Sequence, residues 1–287
     1  MKDQAARLRE VMEKANRRRF RTFAVVSGKG GVGKSNFALN FALSLTEIGH
    51  KVLLFDMDIG MGNVDILMGK TAEKTIVDYF EGKMPLKDIV TEGPGNLSYI
   101  AGGTGLARLI KLDAALLDQF LQDMTAFFET YEYVIFDMGA GIDEESLYFI
   151  LAVDEIVLIT TPEPTSIADA YSIMKHIHLQ NASLPFLIVV NRVRRKHDGI
   201  KTFQKLRMTA RKFLNRDVIA LGAIPEDKAV QQAVLSQVPF IFEKKSPASR
   251  AIKKMAFRYE QKLIKDTPGA AGLTSFADRL KRFLFAR

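Results

Sequence analysis

One stretch of eight residues constrains this chain more than any other part of it. It reads Gly28-Lys29-Gly30-Gly31-Val32-Gly33-Lys34-Ser35 and matches the pattern G-x-x-x-x-G-K-[ST]. It lies between an apolar run, Phe23–Ser27, and a stretch with helical spacing, Asn36–Leu45. In that setting the loop N–H groups and the positive end of the helix bind phosphate oxygens. We expect Lys34 to reach the β- and γ-phosphates of a nucleotide and Ser35 to ligate Mg²⁺.

Apolar runs of strand length alternate with helical patterns along most of the chain. The predicted strands are Phe23–Ser27, Lys51–Asp56, Leu97–Ile100, Tyr133–Asp137, Glu155–Thr160, Phe186–Asn191 and Val218–Ile224. The predicted helices are Asn36–Leu45, Leu112–Thr130, Ser146–Ala152, Ala168–His178 and Lys201–Phe213. Because the strands are almost wholly apolar, this alternation predicts an α/β fold, a doubly wound and mostly parallel sheet with helices on both faces.

We divide the chain into three parts. Residues 1–22 form a charged N-terminal helix with a basic linker, and residues 23–266 form the main domain. Residues 267–287 contain a small-residue linker and a C-terminal helix. The N-terminal helix has only a thin apolar stripe, so it is either a frayed extension or a segment that binds a partner.

Carboxylates follow two of the predicted strands. Asp56 and Asp58 come at the end of the second, and Asp137 comes at the end of the strand that starts at Tyr133. The carboxyl ends of parallel strands meet at one edge of the sheet, where carboxylates can hold a hydrated Mg²⁺ or orient an attacking water. An acid in this position can also simply cap the next helix, which is the alternative for Asp137.

Composition excludes several classes of protein. The chain has no cysteine, which removes disulfides, thiolate zinc sites, iron–sulfur clusters and cysteine nucleophiles. The longest apolar runs, such as Phe186–Val190, are far shorter than the roughly 20 residues of a membrane-spanning helix. The polar N-terminus does not resemble a signal peptide, so we expect a cytoplasmic protein.

The net charge of +8 is unevenly distributed. Residues 1–22 contain 8 basic and 3 acidic residues, residues 23–191 contain 10 and 22, and residues 192–287 contain 23 and 8. An acidic body is therefore flanked by two basic ends, which favours an acidic partner: nucleic acid, anionic lipid or an acidic protein surface.

The last residues have the pattern of a basic amphipathic helix. Four apolar residues fall on one helical face, and basic residues surround them; the apolar ones are Phe276, Leu280, Phe283 and Leu284. A helix of this kind behind a flexible linker suits an anionic membrane surface. The alternative is that it docks on the body of the protein as an ordinary surface helix.

Lys29 extends the first motif to K-G-G-x-G-K-[ST], which resembles the deviant Walker A motif of the MinD/ParA ATPases, a SIMIBI-class family of P-loop NTPases. The resemblance implies an ATP-dependent homodimer in which Lys29 crosses to the partner's nucleotide; the alternative is a solvated loop lysine. It also implies a water-positioning and metal-binding role for Asp58, a supporting role for Asp56, and a Walker B role for Asp137. The implied switch residues are Gly60, Asn63, Gly139 and Gly141, and the implied phosphate contacts run from Gly28 to Asn36.

The same resemblance implies how the base is bound. Asn191-Arg192 resembles the family's adenine-contacting pair, and Pro225-Glu226-Asp227 resembles its second base-side loop. We expect adenine rather than guanine, because no N-K-x-D signature occurs at that strand end. Glu163, in the stretch Thr161–Asp169, resembles a residue of the dimer face. The implied cofactors are ATP or ADP with Mg²⁺.

The N-terminal segment narrows the resemblance. It reads Asp3-Gln4-Ala5-Ala6-Arg7-Leu8-Arg9, and joined to a MinD-like body it resembles the FlhG group (also called YlxH or FleN) of regulators of flagellar number and placement. In that group the helix stimulates FlhF, a GTPase of the signal-recognition-particle type. The resemblance implies that Asp3, Gln4, Arg7 and Leu8 contact FlhF, that flagellar C-ring proteins are further partners, and that the protein lies on the inner face of the cell membrane.

Two other functions fit parts of the sequence. A ParA-type partitioning ATPase would bind DNA through the basic C-terminal third, although DNA contact does not require the Phe/Leu face of the last helix. A cell-division-site ATPase would act on a different membrane partner. A metabolic P-loop ligase or synthetase is the third class, but no second substrate pocket can be identified in the sequence.

Overall fold

A computed structural model describes residues 20–58, 64–102, 114–142, 144–265 and 276–285. Within these residues an eight-stranded sheet has the order β3-β4-β2-β5-β1-β6-β7-β8, with every neighbouring pair parallel except β3 and β4. The strands are β1 Arg21–Ser27, β2 Val52–Met57, β3 Thr91–Glu92, β4 Ser98–Ile100, β5 Tyr133–Met138, β6 Glu155–Thr160, β7 Phe186–Val193 and β8 Ile219–Pro225. The prediction of a doubly wound α/β fold is confirmed.

Helices cover both faces of the sheet. They are α1 Lys34–Ile48, α2 Val64–Met68, α3 Ile76–Phe80, α4 Ala114–Phe128, α5 Glu144–Ala152, α6 Pro164–Gln180, α7 Lys196–Leu214, α8 Lys228–Ser236, α9 Pro247–Lys265 and α10 Phe276–Phe285. One buried cluster lies between the sheet and α4, α5, α6, α7 and α10, and a second lies between the opposite face and α1, α2 and α9. Alternate side chains of β2 and β5 enter the two clusters, because successive strand residues point to opposite faces.

The central strands are buried along their whole length, as their apolar sequences predict. Each of the six residues of β2 and of β5 is buried, including Asp56 and Asp137, which are paired in the parallel register. β1 begins at Arg21, two residues before the predicted start of the main domain, because Arg21 donates its N–H to the Glu132 carbonyl at 2.9 Å.

The C-terminal helix α10 docks on the body. Phe276 and Leu280 are only 3% and 1% exposed, and Phe283 and Leu284 are partly buried against the same cluster. The Phe276 ring stacks on Phe136 with their centroids 5.3 Å apart. The four apolar residues therefore share one face, as predicted, but that face packs on the protein, which is the alternative that the sequence left open.

Polar contacts fix α10 next to the start of β1. Arg279 donates to the Ala152 carbonyl at 2.6 Å and pairs with Asp154 at 2.7 Å. Asp154 also accepts hydrogen bonds from the backbone and hydroxyl of Thr22, both at 2.9 Å. The rings of Phe20 and Phe276 both pack against Phe128, with centroid distances of 5.7 and 5.9 Å.

No helix in the described ranges combines the length and apolarity needed to cross a bilayer.

Candidate nucleotide-binding site

The glycine-rich loop connects β1 to α1, as the motif requires. Gly33 precedes the first residue of α1 with a φ of +91°, a conformation that favours glycine. Gly28 needs to lack a side chain for another reason, since a Cβ there would lie 2.3 Å from the carbonyl carbon of Asp169. The loop borders a cleft of about 790 Å³, which is large enough for a nucleotide.

Lys34 and Asp137 form a buried ion pair at the base of this loop. Lys34 Nζ lies 2.7 Å from Asp137 Oδ1, and the two side chains are 7% and 0% exposed. Lys34 Nζ also lies 3.3 Å from the Ser35 hydroxyl. Burial raises the pKa of Asp137, while the charge and hydrogen bond of Lys34 act in the opposite direction. The three residues that the sequence assigned to phosphate and Mg²⁺ therefore lie together.

The second oxygen of Asp137 indicates where a cation fits. Asp137 Oδ2 is buried and accepts no hydrogen bond from the part of the chain that the structure describes. Burying an acceptor without a partner is costly, so such an atom signals a missing partner. Carboxylate and hydroxyl oxygens are the ligands that Mg²⁺ prefers, and Mg²⁺ usually keeps several waters. The carboxylate oxygen of Asp137 and the hydroxyl oxygen of Ser35 are therefore suitable ligands for a hydrated Mg²⁺.

Asp56 is buried beside this pair and organises the chain on either side of residues 59–63. Its Oδ1 accepts the Asp58 N–H at 3.0 Å, and its Oδ2 accepts the Val64 N–H at 3.4 Å. Burial, followed by the charge of Asp137, raises the pKa of Asp56 to about 7. Asp58 itself is partly exposed and lines the cleft. Asp56 thus supports the position of Asp58, while Asp58 faces the space where a nucleotide and water would lie.

Tyr99 is a residue of this region that the sequence did not identify. It lies on β4, next to Leu54 of β2, and its side chain is 1% exposed. Burial, followed by the charge of Asp56, raises the pKa of Tyr99, so the phenol stays protonated. The only signal in the sequence is a tyrosine inside a short apolar strand, and that pattern does not reveal a neighbouring carboxylate.

The Lys29 side chain pairs within its own chain. Its Nζ lies 2.7 Å from Glu163 Oε2 and 3.3 Å from the Thr165 hydroxyl. The hydrogen bond from Lys29 lowers the pKa of Glu163. The structure thus brings together the two residues that were assigned to the dimer face, and it pairs them with each other.

The side of the cleft that the sequence assigned to the base is formed by the ends of β7 and β8. Asn191, Arg192, Pro225, Glu226 and Asp227 all line it. Asp227 caps α8 by accepting the Ala229 N–H at 2.9 Å, so its carboxylate has a structural role. Its other oxygen accepts from the Ser246 hydroxyl at 2.6 Å and from the Ala248 N–H at 3.2 Å.

An apolar wall completes the cleft and was not predicted. It is made of side chains from α2 and α8 and from the segment before α9, namely Ile66, Leu67, Val230, Val234, Leu235 and Phe240. A flat aromatic base packs well on such a surface. Neither helix was predicted from the sequence, so these residues could not be placed in the cleft.

Most of the residues that were predicted to contact phosphate border the cleft. Gly30, Gly31, Gly33, Lys34, Ser35 and Asn36 are on its wall. Of the residues assigned to the second switch, a Cβ on Gly139 would lie 3.9 Å from Asp58 Oδ1, and Gly141 donates its N–H to the Ser27 carbonyl at 3.3 Å. Six predicted residues fall outside the described residues: Asp3, Gln4, Arg7, Leu8, Gly60 and Asn63.

Comparison with known proteins agrees with this geometry. A family model described as ParA, NUBPL iron-transfer P-loop NTPase, matches residues 20–259. The chain is 32% identical to antiactivator FleN of Pseudomonas aeruginosa, across 90% of this chain and 92% of that protein. It is 34% identical to the flagellum site-determining protein YlxH of Helicobacter pylori, across 99% and 100% of the two chains.

Solved structures share the fold. The MinC:MinD cell division protein complex of Aquifex aeolicus matches with a TM-score of 0.69 and 23% identity, over 84% of this chain and 96% of that one. MinD of Pyrococcus horikoshii, complexed with Mg-ADP, matches with a TM-score of 0.68 and 24% identity, over 87% and 100%.

The family model's iron-transfer description does not extend to the chemistry of this chain, which contains no cysteine to bind a cluster. The phosphate loop, the buried Lys34–Asp137 pair and the extent of both sequence matches lead to one conclusion. The chain belongs to the ParA family of P-loop NTPases, in the FlhG group that includes FleN and YlxH.

Proposed function

We propose that this protein is an ATP-driven molecular switch that regulates flagellar number or placement. The observation that carries the proposal is the buried Lys34–Asp137 pair beside the phosphate loop, in which the second carboxylate oxygen has no hydrogen-bond partner among the described residues. This arrangement would suit a nucleoside triphosphate bound with Mg²⁺. The names of the FleN and YlxH relatives support the flagellar role.

The proposed reaction is hydrolysis of ATP to ADP and phosphate. Lys34 neutralises charge on the transferred phosphoryl group, and Asp58 orients the attacking water from the cleft wall. Ser35 and Asp137 would hold the Mg²⁺, whose chemistry is to neutralise charge on the phosphate oxygens. We expect turnover to be slow until a partner or the membrane stimulates it.

ATP-dependent dimerisation follows from Lys29. Its cis partner, Glu163, is exposed, so the ion pair is weak and can open. Once free, Lys29 would reach the nucleotide of the second copy, as the family motif implies. The nucleotide would then be enclosed by two phosphate loops, and dimer formation would depend on ATP.

Membrane binding would require α10 to leave the body. On its apolar face, Phe276 packs against Phe128, Phe136 and Phe149 and Leu280 is 1% exposed, so the docked helix cannot insert these side chains into lipid. Phe136 precedes Asp137 in β5, which places the helix contact next to the nucleotide site. Two released helices in a dimer would bind an anionic bilayer with greater avidity than one. The protein would then reside peripherally on the inner face of the cell membrane.

The N-terminal segment is the proposed contact for FlhF. A peptide of residues 1–20 should accelerate GTP hydrolysis by FlhF, and changing Gln4 should weaken that effect. If the peptide has no effect on the rate, this assignment of the segment fails. Flagellar C-ring proteins are the further proposed partners.

The central test combines gel filtration with liposome flotation. Full-length protein is examined with Mg-ADP and with a slowly hydrolysed ATP analogue, using vesicles that contain anionic lipid. We expect dimerisation and flotation with the ATP analogue only. Lys29→Ala should remain monomeric, and truncation before Leu273 should dimerise without floating. Equal behaviour of all proteins in both nucleotides would contradict the proposal.

A second candidate is a DNA-partitioning ATPase, and the surface of α7 favours it. Lys201, Lys205 and Lys212 are exposed on this helix, and none of them pairs with an acid in the described residues. Such a surface can neutralise DNA phosphates. Salt-sensitive retention on DNA together with a lack of flotation would support this function in place of the first.

A further inference from the structure

Tyr99 has a buried hydroxyl that makes no hydrogen bond within the part of the chain that the structure describes. The side chain is only 1% exposed, so bulk water has almost no access to it. A buried tyrosine hydroxyl usually has a partner, and leaving it without one costs free energy. Two other tyrosines follow this rule, since Tyr79 donates to Asp123 at 2.7 Å and Tyr259 donates to Glu155. The hydroxyl of Tyr99 therefore calls for an explanation.

Tyr99 and Asp56 lie on the same face of the sheet. Tyr99 pairs with Leu54 of β2 in the parallel register, and Asp56 follows Leu54 by two residues. Because side chains two residues apart on a strand share a face, the tyrosine and the carboxylate are diagonal neighbours. Burial, followed by the charges of Asp56 and Asp65, raises the pKa of Tyr99, so the phenol keeps a proton to donate. Asp56 is the acceptor that is fully buried with it, at 0% exposed.

Asp56 can accept this proton without losing its present bonds. Its two oxygens accept the N–H groups of Asp58 and Val64, at 3.0 and 3.4 Å. A carboxylate can accept about four hydrogen bonds, so another can be added. The tyrosine is also held close to β2, because a Cβ on Gly102 would lie 2.1 Å from the Asp56 carbonyl oxygen. A small movement of the Asp56 side chain is therefore enough to complete the bond.

We propose that Tyr99 is a positioning residue for Asp56, whose carboxylate accepts the Tyr99 hydroxyl when a nucleoside triphosphate is bound. Asp58 lines the cleft, so a ligand there acts on Asp56 through the Asp58 N–H. The new bond fixes Asp56, and Asp56 in turn holds Asp58 where it orients the attacking water. A group that gains a partner in only one state favours that state. The proposal rests on the proposed function, because it concerns the same hydrolysis of ATP.

The first experiment compares full-length wild type with Tyr99→Phe, which removes the hydroxyl and keeps the ring. We expect kcat for ATP hydrolysis to fall about tenfold, the effect of one hydrogen bond to a charged group. The KM for ATP and the affinity for Mg-ADP should stay unchanged, because ADP has no γ-phosphate for water to attack. The melting temperature of the ligand-free protein should not fall, since no hydrogen bond is lost.

Tyr171→Phe is the matched control for this substitution. Tyr171 is partly buried on α6, where its ring packs against Phe213 with centroids 6.2 Å apart, and it does not line the cleft. The control should have the kcat, the KM and the ADP affinity of wild type.

The second experiment observes the bond through tyrosine fluorescence. The chain has seven tyrosines and no tryptophan, so the difference in emission between wild type and Tyr99→Phe reports on Tyr99. A phenol that donates to a carboxylate fluoresces weakly. A slowly hydrolysed ATP analogue should therefore reduce this difference in emission, and Mg-ADP should leave it unchanged.

Four outcomes would overturn the inference. An unchanged kcat in Tyr99→Phe would show that the hydroxyl does not act on the reaction, and a lower melting temperature or failure to fold would show a structural role. An equal loss of kcat and of ADP affinity would show that Tyr99 shapes the whole site. An emission difference that the ATP analogue leaves unchanged would show that the hydroxyl keeps one partner, such as a buried water. Absence of ATP hydrolysis by wild type would instead contradict the proposed function.

Discussion

At the scale of single residues, the site is held together by side chains that lie far apart in sequence. Lys34 meets Asp137 103 positions later, and Lys29 meets Glu163 134 positions later. The phosphate loop could be predicted because its residues are contiguous and their spacing is set by the phosphates. The cis pairing of Lys29, the contact of Asn191 with Val32 and the place of Tyr99 could not, because they depend on how separate strands pack.

The Lys29–Glu163 pair gives a prediction about dimer formation. Glu163→Gln removes the negative charge that holds Lys29 in its own chain. Lys29 is then freer to cross, so the variant should dimerise at a protein concentration a few-fold lower than wild type. The effect is small because both groups are exposed and screened by solvent. Sedimentation with the slowly hydrolysed ATP analogue measures it.

Thr165→Ala is the control for this change, because Thr165 makes the second, uncharged contact with Lys29 at 3.3 Å. It should shift dimerisation less than Glu163→Gln does. If Glu163→Gln abolishes dimerisation, Glu163 contacts the partner's nucleotide and its pairing with Lys29 is secondary.

Asp227 gives a prediction about stability. Its carboxylate accepts hydrogen bonds from Ala229 at the start of α8 and from Ser246 and Ala248 at the start of α9. Asp227→Ala removes a helix cap and should lower the free energy of unfolding by about 1–2 kcal/mol. Urea unfolding measures this. Asp217→Ala, at an exposed acid paired with Arg207 and Arg211, should have a smaller effect. An equal decrease in the free energy of unfolding of the two variants would show that the helix cap contributes no more to stability than the exposed ion pairs of Asp217.

At the scale of elements, prediction succeeded where the sequence has a strong period or a continuous apolar run. β1, β2, β5, β6 and β7 appear within two residues of their predicted bounds. The short strand β3 and the short helices α2 and α3 were missed, because two to five residues carry too little pattern. The long helix α9 was missed although Ala248, Ile252, Met255 and Tyr259 form a buried stripe; its many lysines and arginines obscured it.

The docking of α10 gives a prediction that tests the surface on which the helix docks without changing the helix itself. Phe149 belongs to α5 and packs against Phe276, with ring centroids 6.4 Å apart. Phe149→Ala weakens docking and leaves the sequence of α10 intact. The variant should therefore float with anionic vesicles in ADP, where wild type should not. Removal of such a ring typically costs about 3–5 kcal/mol, so a melting curve must first show that the variant is folded.

The matched control combines Phe149→Ala with truncation before Leu273. This protein lacks the helix and should not float in either nucleotide. Flotation of the truncated variant would show that another surface binds the vesicles. Failure of Phe149→Ala to float, in a folded protein, would contradict the proposal that docking masks the lipid-binding face.

At the scale of the whole molecule, the structure shows where part of the unevenly distributed charge lies. The acidic middle of the chain contains the buried aspartates of the site, Asp56 and Asp137. Much of the basic excess lies on α7 and α9, which are on opposite faces of the sheet. The sequence could predict that the ends are basic, but only the fold shows that the basic helices do not form one surface.

Ligand binding should stabilise the whole fold. A ligand at one hundred times its dissociation constant adds about 2.7 kcal/mol to the free energy of unfolding. Mg-ADP should therefore raise the melting temperature of the wild type by several degrees, and EDTA should reduce the rise by removing Mg²⁺. Lys34→Ala should show no rise. Differential scanning fluorimetry measures all three, and an equal rise for wild type and Lys34→Ala would place the nucleotide elsewhere.

The shared contact of Phe20 and Phe276 with Phe128 has a consequence for signalling. Phe20, directly before β1, and Phe276, the first residue of α10, therefore lie at one place on the body, and Asp154 bonds to both β1 and α10 there. A protein that binds the residues before β1 would therefore lie close to α10. A donor dye near Phe20 and an acceptor dye on α10 would report the departure of α10 as a loss of energy transfer. One spectroscopic signal could therefore follow both binding of a partner before β1 and release of the last helix.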